Sequence, residues 1–231
     1  MAPDLSALDG AVIAFDLDGT LVDTAPDLCR AVNAALDVAG RPAVSAEVTR
    51  ELIGGGTRAM LTRALERTGG MVDESEFTRL YDALMAHYEA ETSRHSEPYP
   101  GLLDALEDLV TRGCRLAVVT NKIERFAVKL LDELDMSPRF ATIIGGDTLG
   151  PGRSKPKRDM IDEALRRCGG TRFAMVGDAS FDILAARAAE VPSVLYTRGY
   201  HDQPVGKLGA DVTIDHYDEL VGALEGFATR R

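Results

Sequence analysis

The stretch of residues 11–24 constrains the fold more than any other part of this chain. An apolar run at residues 11–15 is followed at once by the polar residues 16–20, Asp-Leu-Asp-Gly-Thr. A buried parallel strand whose C-terminal end opens into a polar site has this pattern. Asp16 and Asp18 point to the same side of an extended chain, so ionising both requires a cation between them or a shared proton. An ordinary strand that ends in an Asp-Gly turn is the alternative, and the rest of the chain decides between the two.

Residues 24–95 carry the spacing of helices and no strand pattern. Apolar side chains recur three and four residues apart, as at Leu28, Val32 and Leu36. Three consecutive glycines at residues 54–56 interrupt this spacing, which resumes directly after them. The pattern predicts a unit of four helices.

Strands and helices alternate from residue 101 onward. Such alternation implies a parallel sheet with helices on both of its faces. The strand at residues 11–15 most simply joins this sheet, which makes the helical unit an insertion. The other predicted strands are residues 116–119, 141–144, 173–176, 193–196 and, at the edge, 212–214.

Polar residues follow four of these predicted strands. In open parallel sheets, ligands bind at the carboxyl ends of the strands. Four strand ends that jointly supply acids, a hydroxyl and an ammonium therefore favour a functional site over a set of ordinary turns. The residues in question are Asp16, Asp18, Thr120, Asn121, Lys155, Asp178 and Asp182.

The acids in this set suggest a hard divalent cation. Oxygen ligands combined with phosphate chemistry point to magnesium, and Asp16 and Asp178 are its natural side-chain ligands. Thr120 and Lys155 could hold the phosphoryl oxygens that the metal does not reach. Asp16 would then be a carboxylate nucleophile that forms an aspartyl-phosphate. Asp18 would protonate the leaving alcohol and afterwards deprotonate the attacking water.

Four short motifs occur in order along the chain, namely residues 16–23, Thr120-Asn121, Lys155-Pro156 and Gly177-Asp178. In this order they resemble the motifs of the haloacid dehalogenase superfamily of phosphohydrolases, most closely its phosphoglycolate phosphatase-like branch. The resemblance implies an α/β fold, a Rossmann-like doubly wound parallel sheet with an inserted all-helical cap domain. The catalytic core would comprise residues 1–22 and 96–231, and the cap residues 23–95.

The resemblance adds three details to the chemistry. The backbone carbonyl of Asp18 would be a further magnesium ligand beside Asp16 and Asp178. Asn121 would bind phosphate together with the strand-end threonine and lysine. Asp182 would lie next to the metal ligands, although an acidic residue at the start of a helix also suits the helix dipole.

The cap is expected to select the substrate. Residues 54–58, Gly-Gly-Gly-Thr-Arg, resemble the glycine-containing cap loop of this branch and lie at a helix start, where backbone amides can bind an anion. Gly55, Gly56 and Arg58 are therefore candidate substrate contacts, and Arg58 could pair with a substrate carboxylate. A plain turn between helices with a surface arginine is the alternative. The chain departs from the family pattern at Phe181, which makes the edge of the site more apolar.

The composition limits the partners. A formal charge of −11 over 231 residues argues against a nucleic-acid or anionic-membrane surface, because excess Lys and Arg bind phosphate backbones. No apolar run approaches the roughly 18 residues of a membrane span. The three cysteines are widely separated and favour neither disulfides nor zinc. We expect a cytoplasmic enzyme that acts on a small phosphorylated metabolite, and the sequence leaves the oligomeric state open.

Two other functions share parts of this pattern. A phosphoglucomutase-like sugar-phosphate mutase uses the same Asp16 and Asp18 pair, so the first motif does not separate hydrolysis from transfer within one molecule. A receiver-type signalling domain also combines acids, a threonine and a lysine on a parallel sheet, but it lacks a large helical insertion. A catalytically silent binding module is not favoured, because every chemical position is filled. Hydrolysis of a small phosphate monoester is the prediction, with 2-phosphoglycolate as a candidate substrate.

Overall fold

The first half of the chain leaves a central strand, forms four helices and returns. In the computed structural model, which describes residues 8–170 and 173–228, the apolar run after residue 11 is a buried strand. Two strands of two residues each flank the four helices, one before the first helix and one after the last, and these two strands pair with each other. The elements are β1 (Val12–Phe15), β2 (Val22–Asp23), α1 (Ala25–Val38), α2 (Ala46–Leu52), α3 (Thr57–Thr68), α4 (Glu74–Ala90) and β3 (Glu97–Pro98).

The second half alternates between helices and strands, as the sequence predicts. A 3-10 turn at Tyr217–Glu219 precedes the last helix. The elements are α5 (Leu102–Thr111), β4 (Arg115–Val119), α6 (Glu124–Glu133), β5 (Thr142–Ile144), α7 (Asp159–Cys168), β6 (Phe173–Gly177), α8 (Ser180–Ala188), β7 (Ser193–Tyr196), α9 (Val205–Leu208), β8 (Val212–Ile214) and α10 (Leu220–Ala228).

Six strands form one parallel sheet in the order β5-β4-β1-β6-β7-β8. β1 lies between β4 and β6, with Ile13 in register with Leu116 on one side and Ala174 on the other. Apolar clusters cover both faces of the sheet, and all four residues of β1 are buried. The predicted α/β fold with a doubly wound parallel sheet is therefore confirmed. Because β1, β4 and β6 are neighbours, the residues that follow them meet at one edge.

The helices α1–α4 have an apolar core of their own. Leu36, Leu61 and Leu80 are fully buried in it, and Phe126 from α6 joins the same cluster from the sheet side. This arrangement agrees with an inserted helical cap, while the domain boundaries at residues 22/23 and 95/96 stay a prediction. No helix within residues 8–170 and 173–228 combines the length and the apolar character needed to cross a membrane.

The crossing between core and cap contains a feature that the sequence did not predict. β2 and β3 pair antiparallel, with Val22 opposite Pro98 and Asp23 opposite Glu97. Strands of two residues are too short to show a period-two pattern, so the sequence gives no signal for them. The pairing holds the outgoing and returning chains side by side where the four helices leave the sheet.

Candidate active site

Three strand ends carry the central residues of the site. Asp16 follows β1 and is placed by its backbone N–H, which donates to the carbonyl of Val176 over 2.9 Å. Thr120 follows β4 and donates its N–H to the carbonyl of Ile144 over 3.0 Å. Asp178 follows β6. The parallel ladder thus continues one residue past β1 and β4 and places Asp16 and Thr120, whereas the backbone N–H of Asp178 donates to the side chain of Asp182.

The carboxylates of Asp16, Asp178 and Asp182 form a compact acidic cluster. Each offers an oxygen, and these atoms lie within 4.8 Å of one another. Burial raises the pKa of Asp16 from its ordinary value of 3.8 to about 6, even though the ammonium of Lys155 opposes the shift. Burial, together with the charges of Asp182 and Asp16, raises the pKa of Asp178 well above its usual range. An oxygen-only set whose charges repel in this way fits a hard divalent cation.

Lys155 is a buried ammonium between two carboxylates of this cluster. Its side chain is 1% exposed, and Nζ lies 3.0 Å from Asp16 Oδ1 and 2.5 Å from Asp182 Oδ1. Burial lowers the pKa of Lys155, but the two carboxylates outweigh that effect and hold it above its ordinary value. Lys155 therefore supplies a fixed positive charge beside the Asp16 carboxylate.

Asp182 organises the loop that follows β6. Its Oδ2 accepts hydrogen bonds from the backbone N–H groups of Asp178 and Ala179 at 3.2 and 3.1 Å, while its Oδ1 holds Lys155. Both oxygens are thus already engaged by protein donors. Asp182 lies beside the predicted metal ligand Asp178 and fixes the backbone from which that ligand extends.

The Asp18 carboxylate binds donors outside the acidic cluster. Its Oδ1 accepts a hydrogen bond from the Thr24 hydroxyl at 2.7 Å, and both its oxygens accept from Lys122 Nζ, at 2.8 and 3.1 Å. The Asp18 side chain is 15% exposed and lines the cavity described below. Asp16 and Asp18 therefore have separate surroundings: Asp16 lies against Lys155, and Asp18 against Lys122.

Thr120 and Asn121 form the turn after β4. The Thr120 hydroxyl accepts the backbone N–H of Lys122 at 3.2 Å, and Asn121 Nδ2 donates to the carbonyl of Lys155 at 3.2 Å. The buried Oδ1 of Asn121 has no hydrogen-bond partner among the residues that the structure describes. This turn ties the end of β4 to the loop that carries Lys155.

A small cavity of about 50 Å³ separates the strand ends from the cap. It brings together core carboxylates, the turn after β4 and the predicted glycine loop. Apolar side chains from both parts of the chain complete its wall. The lining residues include Asp16, Asp18, Thr120, Asn121, Lys122 and Asp178 from the core, Gly54, Gly55, Gly56, Thr57 and Met60 from the cap, and Phe181 and Tyr200.

The glycine loop packs against Phe181. All three of its glycines have positive φ, and a Cβ at Gly54 or Gly55 would lie 3.4 or 3.5 Å from the Phe181 ring. The guanidinium of Arg63 donates to the carbonyl of Gly54 and fixes the loop from the cap side. Phe181, where the sequence departs from the family pattern, is thus the core's contact with this loop.

Arg58 lies outside the cavity wall. Its side chain is 57% exposed, its Nη2 lies 3.0 Å from Glu74 Oε1, and its guanidinium stacks 4.6 Å from the centre of the Phe77 ring. Gly55 and Gly56, by contrast, line the cavity. Of the three cap residues predicted to contact substrate, the structure brings two to the site and leaves Arg58 paired on the cap surface.

Three residues at the site were missed by sequence reasoning. The Thr20 hydroxyl donates to Asp178 Oδ1 at 2.7 Å, and the backbone N–H of Tyr200 donates to Asp178 Oδ2 at 2.5 Å. Lys122 holds Asp18. Thr20 belongs to the first motif, and Lys122 directly follows the Thr120-Asn121 motif. Both residues therefore lie within or beside motifs that the sequence shows. Tyr200 lies beyond the end of β7. The rule that ligands bind at the carboxyl ends of parallel strands applies to this fifth strand end as well.

Comparison with known proteins identifies the family. A family model described as haloacid dehalogenase-like hydrolase matches residues 13–196. This chain belongs to that family. The haloacid dehalogenase-like assignment confirms the predicted resemblance and the prediction of a hydrolase. It gives no support to a receiver-type signalling domain.

Relatives of known name lie within the predicted branch. The chain is 41% identical to a phosphoglycolate phosphatase from Caulobacter vibrioides over 215 residues, which cover 92% of this chain and 90% of the relative. It is 42% identical over 212 residues to a phosphoglycolate phosphatase from Agrobacterium fabrum, covering 91% and 90% of the two chains. The chain is thus a phosphoglycolate phosphatase-like member of the haloacid dehalogenase-like hydrolases.

Solved structures share the whole fold. A structure described as a predicted phosphoglycolate phosphatase from Haemophilus somnus superposes with a TM-score of 0.86 at 29% identity, covering 92% of this chain and 96% of that one. CbbY from Rhodobacter sphaeroides, in complex with phosphate, superposes with a TM-score of 0.75 at 25% identity, covering 90% and 95%. Because each superposition covers at least 90% of this chain, the two structures share the sheet and most of the inserted helical unit.

Proposed function

We propose that this hydrolase is a magnesium-dependent phosphatase that cleaves a small phosphate monoester through an aspartyl-phosphate on Asp16. The observation that carries the proposal is the position of Asp16, which lines the cavity, belongs to the acidic cluster and lies beside the buried ammonium of Lys155. A carboxylate nucleophile needs a cationic surrounding for the phosphoryl group that it attacks. Two observations on similar proteins support the same proposal. The relatives from Caulobacter vibrioides and Agrobacterium fabrum are named phosphoglycolate phosphatase, and the structure of CbbY contains phosphate.

The first step would transfer the phosphoryl group to Asp16. A carboxylate oxygen of Asp16 forms a bond to phosphorus while the bond from phosphorus to the ester oxygen breaks. Asp18 gives its proton to the departing oxygen, so that a neutral alcohol leaves. Thr120, Asn121 and Lys155 would bind the non-bridging phosphoryl oxygens. Asn121 would do so through the second N–H of its amide, because Nδ2 carries two protons and donates one hydrogen bond to the carbonyl of Lys155.

The second step would release phosphate and restore the enzyme. Asp18, now a carboxylate, takes a proton from a water molecule, whose oxygen attacks the phosphorus of the aspartyl-phosphate. The bond between phosphorus and the Asp16 oxygen breaks, and inorganic phosphate leaves. Asp18 keeps the proton for the next turnover, so the two steps balance without any further donor.

The acidic cluster fits a magnesium ion. Asp16 and Asp178 would be the side-chain ligands, with the backbone carbonyl of Asp18 beside them, and Asp182 would steady the Asp178 loop. When bound, the ion would neutralise the repulsion between the carboxylates and part of the negative charge of the phosphoryl group. Thr20 and Tyr200, which both donate to Asp178, would hold this ligand in one orientation.

The cap loop would recognise a second anionic group of the substrate. The cavity of about 50 Å³ leaves room only for a compact ligand in this conformation. Gly56, which lines the cavity, is the N-cap of α3, and no side chain caps this helix, so the backbone amides of its first turn are available to an anion. A phosphorylated hydroxy acid such as 2-phosphoglycolate fits these requirements.

Arg58 could add to this recognition only by leaving Glu74. That ion pair joins two exposed side chains, and such pairs contribute no more than about 1 kcal/mol to stability. A carboxylate in the desolvated cavity would be a stronger partner for the guanidinium. A contact between Arg58 and substrate therefore stays part of the proposal. It requires the Arg58 side chain to move away from Glu74.

Phosphate release tests the proposed function directly. The purified protein is incubated with magnesium and a panel of small phosphate monoesters that includes 2-phosphoglycolate. We expect inorganic phosphate from at least one small monoester and none from the Asp16→Asn variant. Isomerisation of a sugar phosphate without release of phosphate would replace the phosphatase by the mutase alternative. Substantial turnover by Asp16→Asn would remove Asp16 from the nucleophile role.

A further inference from the structure

Lys122 is a buried cation at the site, and the sequence analysis predicts no role for it. Its side chain is 2% exposed, and its Nζ donates to both oxygens of Asp18 over 2.8 and 3.1 Å. A lysine is rarely buried so deeply unless its charge is paired. Lys122 is also distinct from Lys155, which lies beside Asp16. The site therefore contains two buried ammonium groups, one beside Asp16 and one beside Asp18.

The contacts of Lys122 hold the Asp18 side chain in one orientation. Two hydrogen bonds from the ammonium and one from the Thr24 hydroxyl, at 2.7 Å, converge on this carboxylate. An aspartate without such donors samples several rotamers. A proton-transferring group has to lie about 2.6–3.2 Å from the oxygen that it serves. The alignment of Asp18 therefore depends on donors that take no part in the chemistry.

The cap supplies the other contact of the Lys122 ammonium. Nζ lies 4.6 Å from the centre of the Tyr88 ring, which belongs to α4 and is 1% exposed. The Tyr88 ring packs edge-on against Phe126 of α6, with 5.3 Å between the ring centres. A cation over the face of an aromatic ring is attracted by the ring's quadrupole. One ammonium thus contacts a core carboxylate and a cap helix at the same time.

We propose that Lys122 is a positioning residue for proton transfer by Asp18, and that Tyr88 of the cap holds Lys122 in the position required. The inference rests on the proposed role of Asp18. It assigns to Lys122 no contact with the phosphoryl group. Because Tyr88 lies on α4, the alignment of the proton donor depends on the cap being seated on the core.

Two substrates with different leaving groups distinguish a role of Lys122 in proton transfer from a role in phosphate binding. The alkoxide of 2-phosphoglycolate needs a proton as it leaves, whereas the p-nitrophenolate of p-nitrophenyl phosphate leaves as a stable anion. We expect Lys122→Met to lower the single-turnover release of glycolate from 2-phosphoglycolate by about 10- to 100-fold, within the range of general acid catalysis. The nitrophenol burst should change by less than about threefold, since that step needs no proton donor. Equal losses for both substrates, or no loss for either, would overturn the inference.

A double-mutant cycle tests whether Lys122 acts through Asp18. Asp18→Asn should reduce glycolate release more strongly than Lys122→Met does. In the Asp18→Asn background, Lys122→Met should add no further loss, because residues that act through one group are not additive. Losses that multiply would show that Lys122 acts independently and would contradict the proposal. If Asp18→Asn itself left glycolate release unchanged, the proposed function would fail instead.

Variants of Tyr88 test the cap contact without removing either charge. Tyr88→Leu should show the same selective loss as Lys122→Met, whereas Tyr88→Phe keeps the ring and should retain more of the glycolate rate. These variants also give an answer if Lys122→Met does not fold. Lys129→Met serves as the matched control, because Lys129 lies on α6 with a side chain 38% exposed and pairs with Glu133. Wild-type behaviour of Tyr88→Leu would refute the role of the cap.

Discussion

Asp16 should destabilise the metal-free protein at neutral pH. Its pKa rises from 3.8 to about 6 on folding, chiefly through burial. The folded protein therefore binds a proton more tightly than the unfolded chain, and this contribution to stability is present at low pH and lost as the pH rises through about 6. Replacing Asp16 by Asn removes the titration. The variant keeps an oxygen that can accept the backbone N–H of Leu17, as Asp16 Oδ1 does at 2.7 Å.

The size of this destabilisation follows from the difference between the pKa values of Asp16 in the unfolded and the folded protein. The titration of Asp16 lowers the free energy of unfolding by about 2 kcal/mol at about pH 5 and by about 3 kcal/mol at about pH 7.5. Between these two pH values the Asn variant should gain about 1 kcal/mol relative to wild type. Asp178 acts in the same direction, because the charge of Asp16 contributes to its raised pKa.

Urea denaturation in the presence of a chelator measures this difference. The free energy of unfolding is determined for wild type and Asp16→Asn at both pH values. Asp132→Asn is the control, because Asp132 is exposed on α6 and its loss changes the net charge without touching the cluster. A difference between Asp16→Asn and wild type that stays constant with pH, or that moves in favour of wild type at the higher pH, would refute the reasoning.

Three further predictions concern the surroundings of this cluster. Asp178→Asn should abolish the stabilisation by magnesium, which for wild type reaches about 2.7 kcal/mol at 100 times Kd, and an unchanged shift of Tm would exclude Asp178 as a ligand. Tyr200→Phe should lower the free energy of unfolding by about 1–3 kcal/mol, because its hydroxyl donates to Asp23 and accepts the N–H of Ala25. A urea midpoint equal to wild type would contradict this. Arg58→Ala should raise KM more for 2-phosphoglycolate than for p-nitrophenyl phosphate, and equal increases would make Arg58 structural.

The positions of the strand ends were predictable because of the sheet's connectivity. In a parallel sheet built from alternating strands and helices, all strands run in one direction, so the residues that follow them share one edge. Asp16, Thr120 and Asp178 could therefore be grouped from sequence. Their functional roles rest on the family resemblance and stay proposals.

The contacts of long side chains were not predictable in the same way. Lys122 and Lys155 are the same residue type, each beyond a strand end, and the sequence does not show which acid each one meets. Arg58 lies next to the glycine loop in sequence yet stacks on Phe77, because a helical residue's direction depends on its position around the helix axis. A shift of one residue along a helix turns a side chain by about 100°.

The sequence by itself determined the central strand with its two acids, the helical insertion and the order of the motifs, because hydrophobic periodicity and turn residues are local properties of the chain. Only the tertiary structure decided that Asp16 meets Lys155 while Asp18 meets Lys122, and that Tyr88 of the cap covers the second pair. These contacts join residues from distant parts of the chain. They depend on how the helical insertion is seated on the sheet, and no local pattern encodes that arrangement.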